Sequence, residues 1–191
     1  MAANAFSLAP ALANGGVIDY STSEGIKIHS AATSSLVEDP LFDCDSEGLS
    51  HFLGKVGIRA QTNGWNSSIF AVPVDIAVPL GDTHDFLTNY GVMSLSHIRE
   101  HALTYVGTES RAAQDSMQLG IAIMKSVLVA GFNKLTIRAT VLDLISGVAL
   151  LKIVIGVSHI DTHATTSFIR GELSSLDLCV PKIRFDIGVL N

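Results

Sequence analysis

The segment Ser146–Asn191, SGVALLKIVIGVSHIDTHATTSFIRGELSSLDLCVPKIRFDIGVLN, decides how the rest of the chain is read. From Val148 to Val157 the residues are apolar on nearly every side, interrupted by Lys152 and Gly156. A helix with that pattern belongs inside a packed domain, although an apolar run of this length also suits a buried strand. The helix is preferred because the punctuation that follows is helical. Asp161 or Thr162 offers a side-chain oxygen to cap a helix beginning near Ala164, in which Phe168, Ile169, Leu173 and Leu176 share one face. Pro181 suits the first turn of a third helix, striped by Ile183, Ile187 and Leu190. That stripe runs to the last residue, so a truncated helix is expected, and its three side chains form a candidate interaction surface.

Upstream of this segment the same reading gives more helices. Ser21 with Glu24 has the form of a capping box, opening a weak helix to about Leu36 that Glu38-Asp39-Pro40 ends. Asp45 or Ser46 caps the next, with Leu49, Phe52, Leu53, Val56 and Ala60 on one face, Asn63-Gly64 as its stop and Trp65 folding back on its end. Pro73, Pro79 and Gly81 make residues 66–83 an extended linker or edge strand. Ser94 caps a helix carrying Leu95, Ile98, Ala102 and Tyr105, closed by Gly107. Thr108 or Ser110 opens the longest helix, to about Ala130, with Ala113, Met117, Ile121, Met124 and Leu128 at helical spacing and Gly131 as its end. Leu135–Val141 alternates like a half-buried strand whose partner would lie in residues 66–80. The fold class is therefore mostly α, with at most a short β-hairpin or strand pair. Residues 1–16 form a flexible leader, 17–145 an N-terminal helical lobe and 146–191 the start of a C-terminal helical segment.

Composition narrows the function. Charged residues are 16% of the chain, well under the usual quarter, so other copies or a partner are expected to cover part of the surface. No apolar run reaches the roughly 18 residues of a membrane span, and the expectation is a soluble, cytoplasmic protein. The net charge of -6 and the absence of a basic cluster argue against direct nucleic-acid binding. Cys44 and Cys179 stand apart, outside any zinc-knuckle spacing, and read as two thiols in a reducing compartment.

Two histidine groupings are candidate metal sites. His97-Ile98-Arg99-Glu100-His101 matches the inverted zinc-peptidase signature H-x-x-E-H, with Glu172 conceivable as a third ligand. The plainer reading, a solvated helix face with Arg99 and Glu100 as surface charges, is preferred, because three fixed positions match by chance and such enzymes are far larger. His159-x-Asp161-x-His163 is set aside because Asp161 and Thr162 are wanted as helix caps. Ser110, Asp115 and Ser116 read as helix-surface residues, and Asn14-Gly15-Gly16 as a turn. No metal, cofactor or catalytic residue is expected.

The run ALLKIVIGVSHIDTHATTSFIRGELSSLD followed by VPKIRFDIGVLN, together with Val17–Ala32 and His101–Ser116, resembles the Gag capsid region of copia-type LTR retrotransposons of the algal and diatom type. The resemblance runs in order from about residue 17 to the end. It implies a helical capsid fold and a structural, self-associating protein with no catalysis of its own, in which His159, Asp161 and His163 only join two helices. The Cys/His knuckle that follows capsid in many Gag proteins is missing, and the region Ala130–Ser146 is shorter than the pattern. The alternatives are a domesticated, Gag-derived helical subunit of a larger assembly and, more remotely, a small zinc-dependent hydrolase built on His97, Glu100 and His101.

Overall fold

The computed structural model describes residues 16–159. Its elements, in order, are α1 (Ser23–Ala32), α2 (Ser46–Asn63), α3 (Trp65–Ser68), β1 (Ala71–Pro73), β2 (Thr83–Asp85) and α4 (Phe86–Asn89). They are followed by α5 (Leu95–Leu103), α6 (Arg111–Ser126), α7 (Val129–Thr136), α8 (Val141–Ile145) and α9 (147–159). The architecture is mostly helical, with β1 and β2 as a two-stranded antiparallel sheet in which Val72 faces His84. No helix among the described residues is long and apolar enough to cross a membrane.

The apolar run at 148–157 is a helix, and the most enclosed one. Val148, Ala149, Leu150, Leu151, Ile153, Val154, Ile155 and Val157 are all buried, in one core with Phe52, Trp65, Phe70, Phe86, Ile98 and Ile123. Each valine, leucine, isoleucine or phenylalanine among them contributes about 1.5–3 kcal/mol on burial. The core is thus continuous across the boundary at 145/146. Lys152 is only half-buried, because its stem lies along the apolar surface while Nζ reaches out to donate to the Tyr90 carbonyl. The helices expected after Ala164, with their caps, lie outside the described residues.

The stripe of α2 packs as expected. Asp45 accepts from Gly48 N, Gly64 closes the helix with φ 76, and Trp65 beyond it is fully buried. Other expectations need correcting. The cap of α1 is Thr22, which accepts from Gly25 N, while Ser21 bonds to Asp19 instead. That helix ends at Ala32, not Leu36, because the Arg59 guanidinium draws the carbonyls of Ala31, Ala32, Ser34 and Ser35 onto α2. The chain then crosses to the end of α6, where Leu36 N donates to Ser126 Oγ.

The long helix ends at Ser126, short of Ala130. Phe42 N donates to Ser126 O and Leu128 N donates to Phe42 O, a parallel bridge that holds Val127 extended and breaks the helix. Gly131 does not stop a helix. It sits inside α7, where a Cβ would meet Val127 Cγ1 at 2.7 Å and the Asp43 backbone at 3.0 Å. Nor is Leu135–Val141 a strand. Leu135 is the buried end of α7, Ile137 and Val141 are exposed, and Thr140 opens α8 through a capping box with Asp143. The alternation there is a coincidence of two helix ends, and β1 pairs with Thr83–Asp85 instead.

Helices α6 and α9 touch through glycine. A Cβ on Gly147 would run into Ser116 O and lie 2.7 Å from Leu119 Cβ and 2.8 Å from Gly120 N. Gly156, with nothing within 4 Å, has no such constraint. Gly147→Ala is therefore expected to cost about 1–3 kcal/mol by overpacking. Gly156→Ala is expected to be neutral or to stabilise by about 0.5–1 kcal/mol. Urea unfolding midpoints check the contrast, and equal effects at the two positions would contradict this helix crossing.

Candidate functional site

Helix α6 packs against α1, α3 and α8, and it turns a polar face toward them. Ser110 caps it by accepting from Ala113 N, which sets Arg111 in the first turn and Asp115 one turn on. Arg111 Nε donates to Asp115 Oδ1 at 2.7 Å, and the two side chains are only 9% and 1% exposed. Ser68 Oγ donates to the other carboxylate oxygen at 2.6 Å. The rest of the guanidinium donates to Asn63 O at 3.1 Å and Gly16 O at 3.3 Å. Burial pushes the Asp115 carboxyl up from its ordinary value, against the hydrogen bonds from Ser68 and Arg111 that pull it down. Further along the same side, Gln114 exchanges two hydrogen bonds with the backbone of Ile18, and Gln118 Nε2 donates to Tyr20 Oη. The segment 16–20 is held along α6 in this way.

Asp115 and Ser116 are therefore not surface residues; both are buried. The Tyr105 phenol beside Ser116 and Ser146 is raised by burial, with those two hydroxyls pulling the other way. The Arg111–Asp115 part of the network is met by the chain's own donors and acceptors, which makes it a lock between α2, α3, α6 and the segment before α1, whereas Gln118 Oε1 and the Tyr105 hydroxyl are buried without a hydrogen-bond partner.

The opposite side of α6 is apolar. The stripe expected in the core, Ala113, Met117, Ile121, Met124 and Leu128, looks outward instead. Met117 is 43%, Met124 36% and Leu128 38% exposed, with Ala113 and Ile121 half-buried. Val129, Ile137, Val141 and Ile145, in and between α7 and α8, are exposed as well. At Leu128 this surface meets a groove of about 800 Å3, walled on one side by the outer face of α2 and on the other by residues 35–45.

The histidines of the H-x-x-E-H match are not a solvated face. The His97 ring is half-buried, its Nε2 2.8 Å from Pro73 O, so that nitrogen carries the proton and donates. His101 is buried edge-on against Tyr105, with ring centroids 5.3 Å apart, and burial, followed by the nearby His97, holds its pKa below the ordinary value. Arg99 is no ordinary surface charge either. It clamps Asp143 with both ends of its fork, Nε to Oδ1 at 2.8 Å and NH2 to Oδ2 at 2.6 Å, tying α5 to α8. Burial would raise the Asp143 pKa, but Arg99 and Thr140 together hold it below the usual value. Only Glu100 stands in solvent as expected.

Among the described residues no group of three His, Cys, Asp or Glu side chains is placed to hold a metal ion. Cys44 is buried. His159, on α9, is exposed, its ring 6.4 Å from that of Tyr90. Asp161, His163, Glu172, Cys179, Ile183, Ile187 and Leu190 lie outside the described residues.

No protein-family model, curated protein or solved structure matches this chain.

The assignment of the two faces of α6 rests on the Arg111–Asp115 pair. Removing one partner of a buried pair leaves an uncompensated charge, at a cost of about 3–5 kcal/mol, whereas apolar replacement of both is often nearly neutral. Arg111→Met is thus expected to destabilise by about that amount, and Arg111→Met with Asp115→Leu to recover most of it. Chemical denaturation of the three proteins checks this, and a double variant no more stable than the single one would contradict it.

Proposed function

We propose that this chain is a structural protein that works by self-association and carries no catalysis of its own, a capsid-like segment of a retroelement Gag protein. The observation that carries the reading is the outward apolar stripe of α6. Helix α6 encloses Leu119, Ala122 and Ile123 together with Arg111, Asp115, Ser116 and Gln118, yet a second apolar set on its other side leaves Met117 and Met124 at the surface, with Ile121 half-buried between them and Leu128 exposed just beyond the helix end. Contiguous apolar surface of this kind marks an interaction site. The sparse charge, the mostly helical fold and the residues that resemble Gag capsid support the same reading. It includes a homo-oligomer in the cytosol, without direct contact to nucleic acid, in keeping with the net charge of -6.

The hydrolase reading finds less support. His97 Nε2 is engaged by Pro73 O, and His101 is turned into the protein against Tyr105. The two rings thus lack the open, convergent geometry that a catalytic zinc site needs.

Burying a methionine side chain contributes about 1.5–3 kcal/mol before the costs of association are subtracted. Met117→Glu with Met124→Glu is therefore expected to weaken self-association by at least about tenfold, with the helical circular dichroism unchanged. Sedimentation velocity over a wide concentration range checks this. A wild-type chain that remains monomeric at the highest concentration would overturn the proposal.

A further inference from the structure

The groove beside Leu128 has two walls of opposite charge. Residues 35–45 carry Glu38 and Asp39, both exposed, and the half-buried Asp43. The outer face of α2 carries His51, Lys55 and Arg59, one helical turn apart, with Ile58 64% exposed between them. Arg59 is occupied by the carbonyls at the end of α1 but keeps its charge. The two ion pairs found among the described residues, Arg99–Asp143 and Arg111–Asp115, lie elsewhere, so the walls face each other without neutralising one another. The floor between them is apolar, with Phe42 and Phe52 below and Leu41 and Leu128 along it.

A face with an acidic stripe on one side and a basic stripe on the other complements itself, but only in one orientation. Turning a second copy by a half-turn about an axis that runs along the groove lays its acidic wall over this copy's basic wall, and the reverse on the other side. A half-turn about an axis across the groove, still in the plane of contact, sets acid on acid and base on base. Closed dimers use the same patch on both partners, and like charges brought together across an interface repel. The charges therefore select the first arrangement. Leu128 lines the groove and is exposed two residues past the end of α6, so the charged groove adjoins the surface already assigned to self-association.

We infer that the groove between α2 and residues 35–45 docks a second copy of this chain in a two-fold dimer with parallel grooves, Glu38 and Asp39 of each copy facing Lys55 and Arg59 of the other. The inference rests on the self-association reading and adds its geometry. All four side chains to be changed are exposed, so their substitution leaves the core untouched.

The test uses two charge-reversed forms of the full chain, Glu38→Lys with Asp39→Lys, and His51→Glu with Lys55→Glu. In either form alone, both contacts of the dimer become repulsive. Each is expected to dimerise at least tenfold more weakly than wild type in sedimentation equilibrium at low salt. An equal mixture of the two is expected to return to within about threefold of wild type as a heterodimer, visible by native mass spectrometry, and to weaken again as salt is raised. If wild type dimerises while both reversed forms do so equally well, or if mixing restores nothing, the groove is not the contact, although self-association through α6 stands. If wild type does not self-associate at all, both readings fall together.

Discussion

The Arg111–Asp115 pair sets the orientation of α6, and much of the described structure follows from it. Desolvating two charges costs several kcal/mol each and is offset only when their remaining donors and acceptors are satisfied. Here Ser68, Asn63 and Gly16 do so, drawn from α3, the end of α2 and the segment before α1. Such a pair contributes little net stability, but any arrangement that separates its members carries an unpaired buried charge. Helix α6 is consequently held with Arg111 and Asp115 inward beside Leu119, Ala122 and Ile123, and the helix period then sends Met117, Ile121 and Met124 outward. A second lock, Arg99 on Asp143, repeats the device at lower burial and fixes α5 to the α8 turn on which α9 begins.

What the sequence disclosed was decided by how local each signal was. The capping residues Asp45, Ser94 and Ser110 and the stop at Gly64 act on the adjoining backbone, and each was readable in place. The enclosed helix at 148–157 was legible because it is apolar on all sides, which leaves no face to misassign. Helix α6 was found as a helix, but its faces were exchanged. Periodicity places Met117 and Met124 on one side without saying which side is inward, and a second apolar set, Leu119, Ala122 and Ile123, lies on the side that also carries the buried ion pair. The Arg111/Asp115 spacing of one turn was visible, whereas the closing partners Ser68, Asn63 and Gly16 come from remote positions that no local pattern joins. The missed break at Val127 and the false strand at Leu135–Val141 have the same origin, since Phe42, far off in the sequence, decides the one and two abutting helix ends produce the other.

Of the candidate residues, His97, Glu100 and His101 illustrate how little a short motif says about surroundings. Their spacing was right for one helix face, yet Pro73 O and the Tyr105 ring occupy the two histidines. The groove was not legible at all, because its walls belong to α2 and to a loop whose course depends on Ser126 and Arg59. The available hint was the recurrence of His51, Lys55 and Arg59 at one-turn spacing along a flank of the core stripe of α2. The buried ion pair on α6, the exposed Met117 and Met124 on its other side and the oppositely charged groove alongside are the features on which the proposed self-association rests.

The central claim, that α6 presents its apolar stripe outward as an association surface, is tested most directly by methionine oxidation. Peroxide converts an accessible methionine into its sulfoxide, and peptide mass spectrometry reads each site separately. The account predicts that Met117 and Met124 oxidise readily in dilute protein and become protected as concentration rises, while Met93, 6% exposed, stays protected throughout. Met117 and Met124 as resistant as Met93 in dilute protein, or oxidising at a rate independent of concentration, would contradict it.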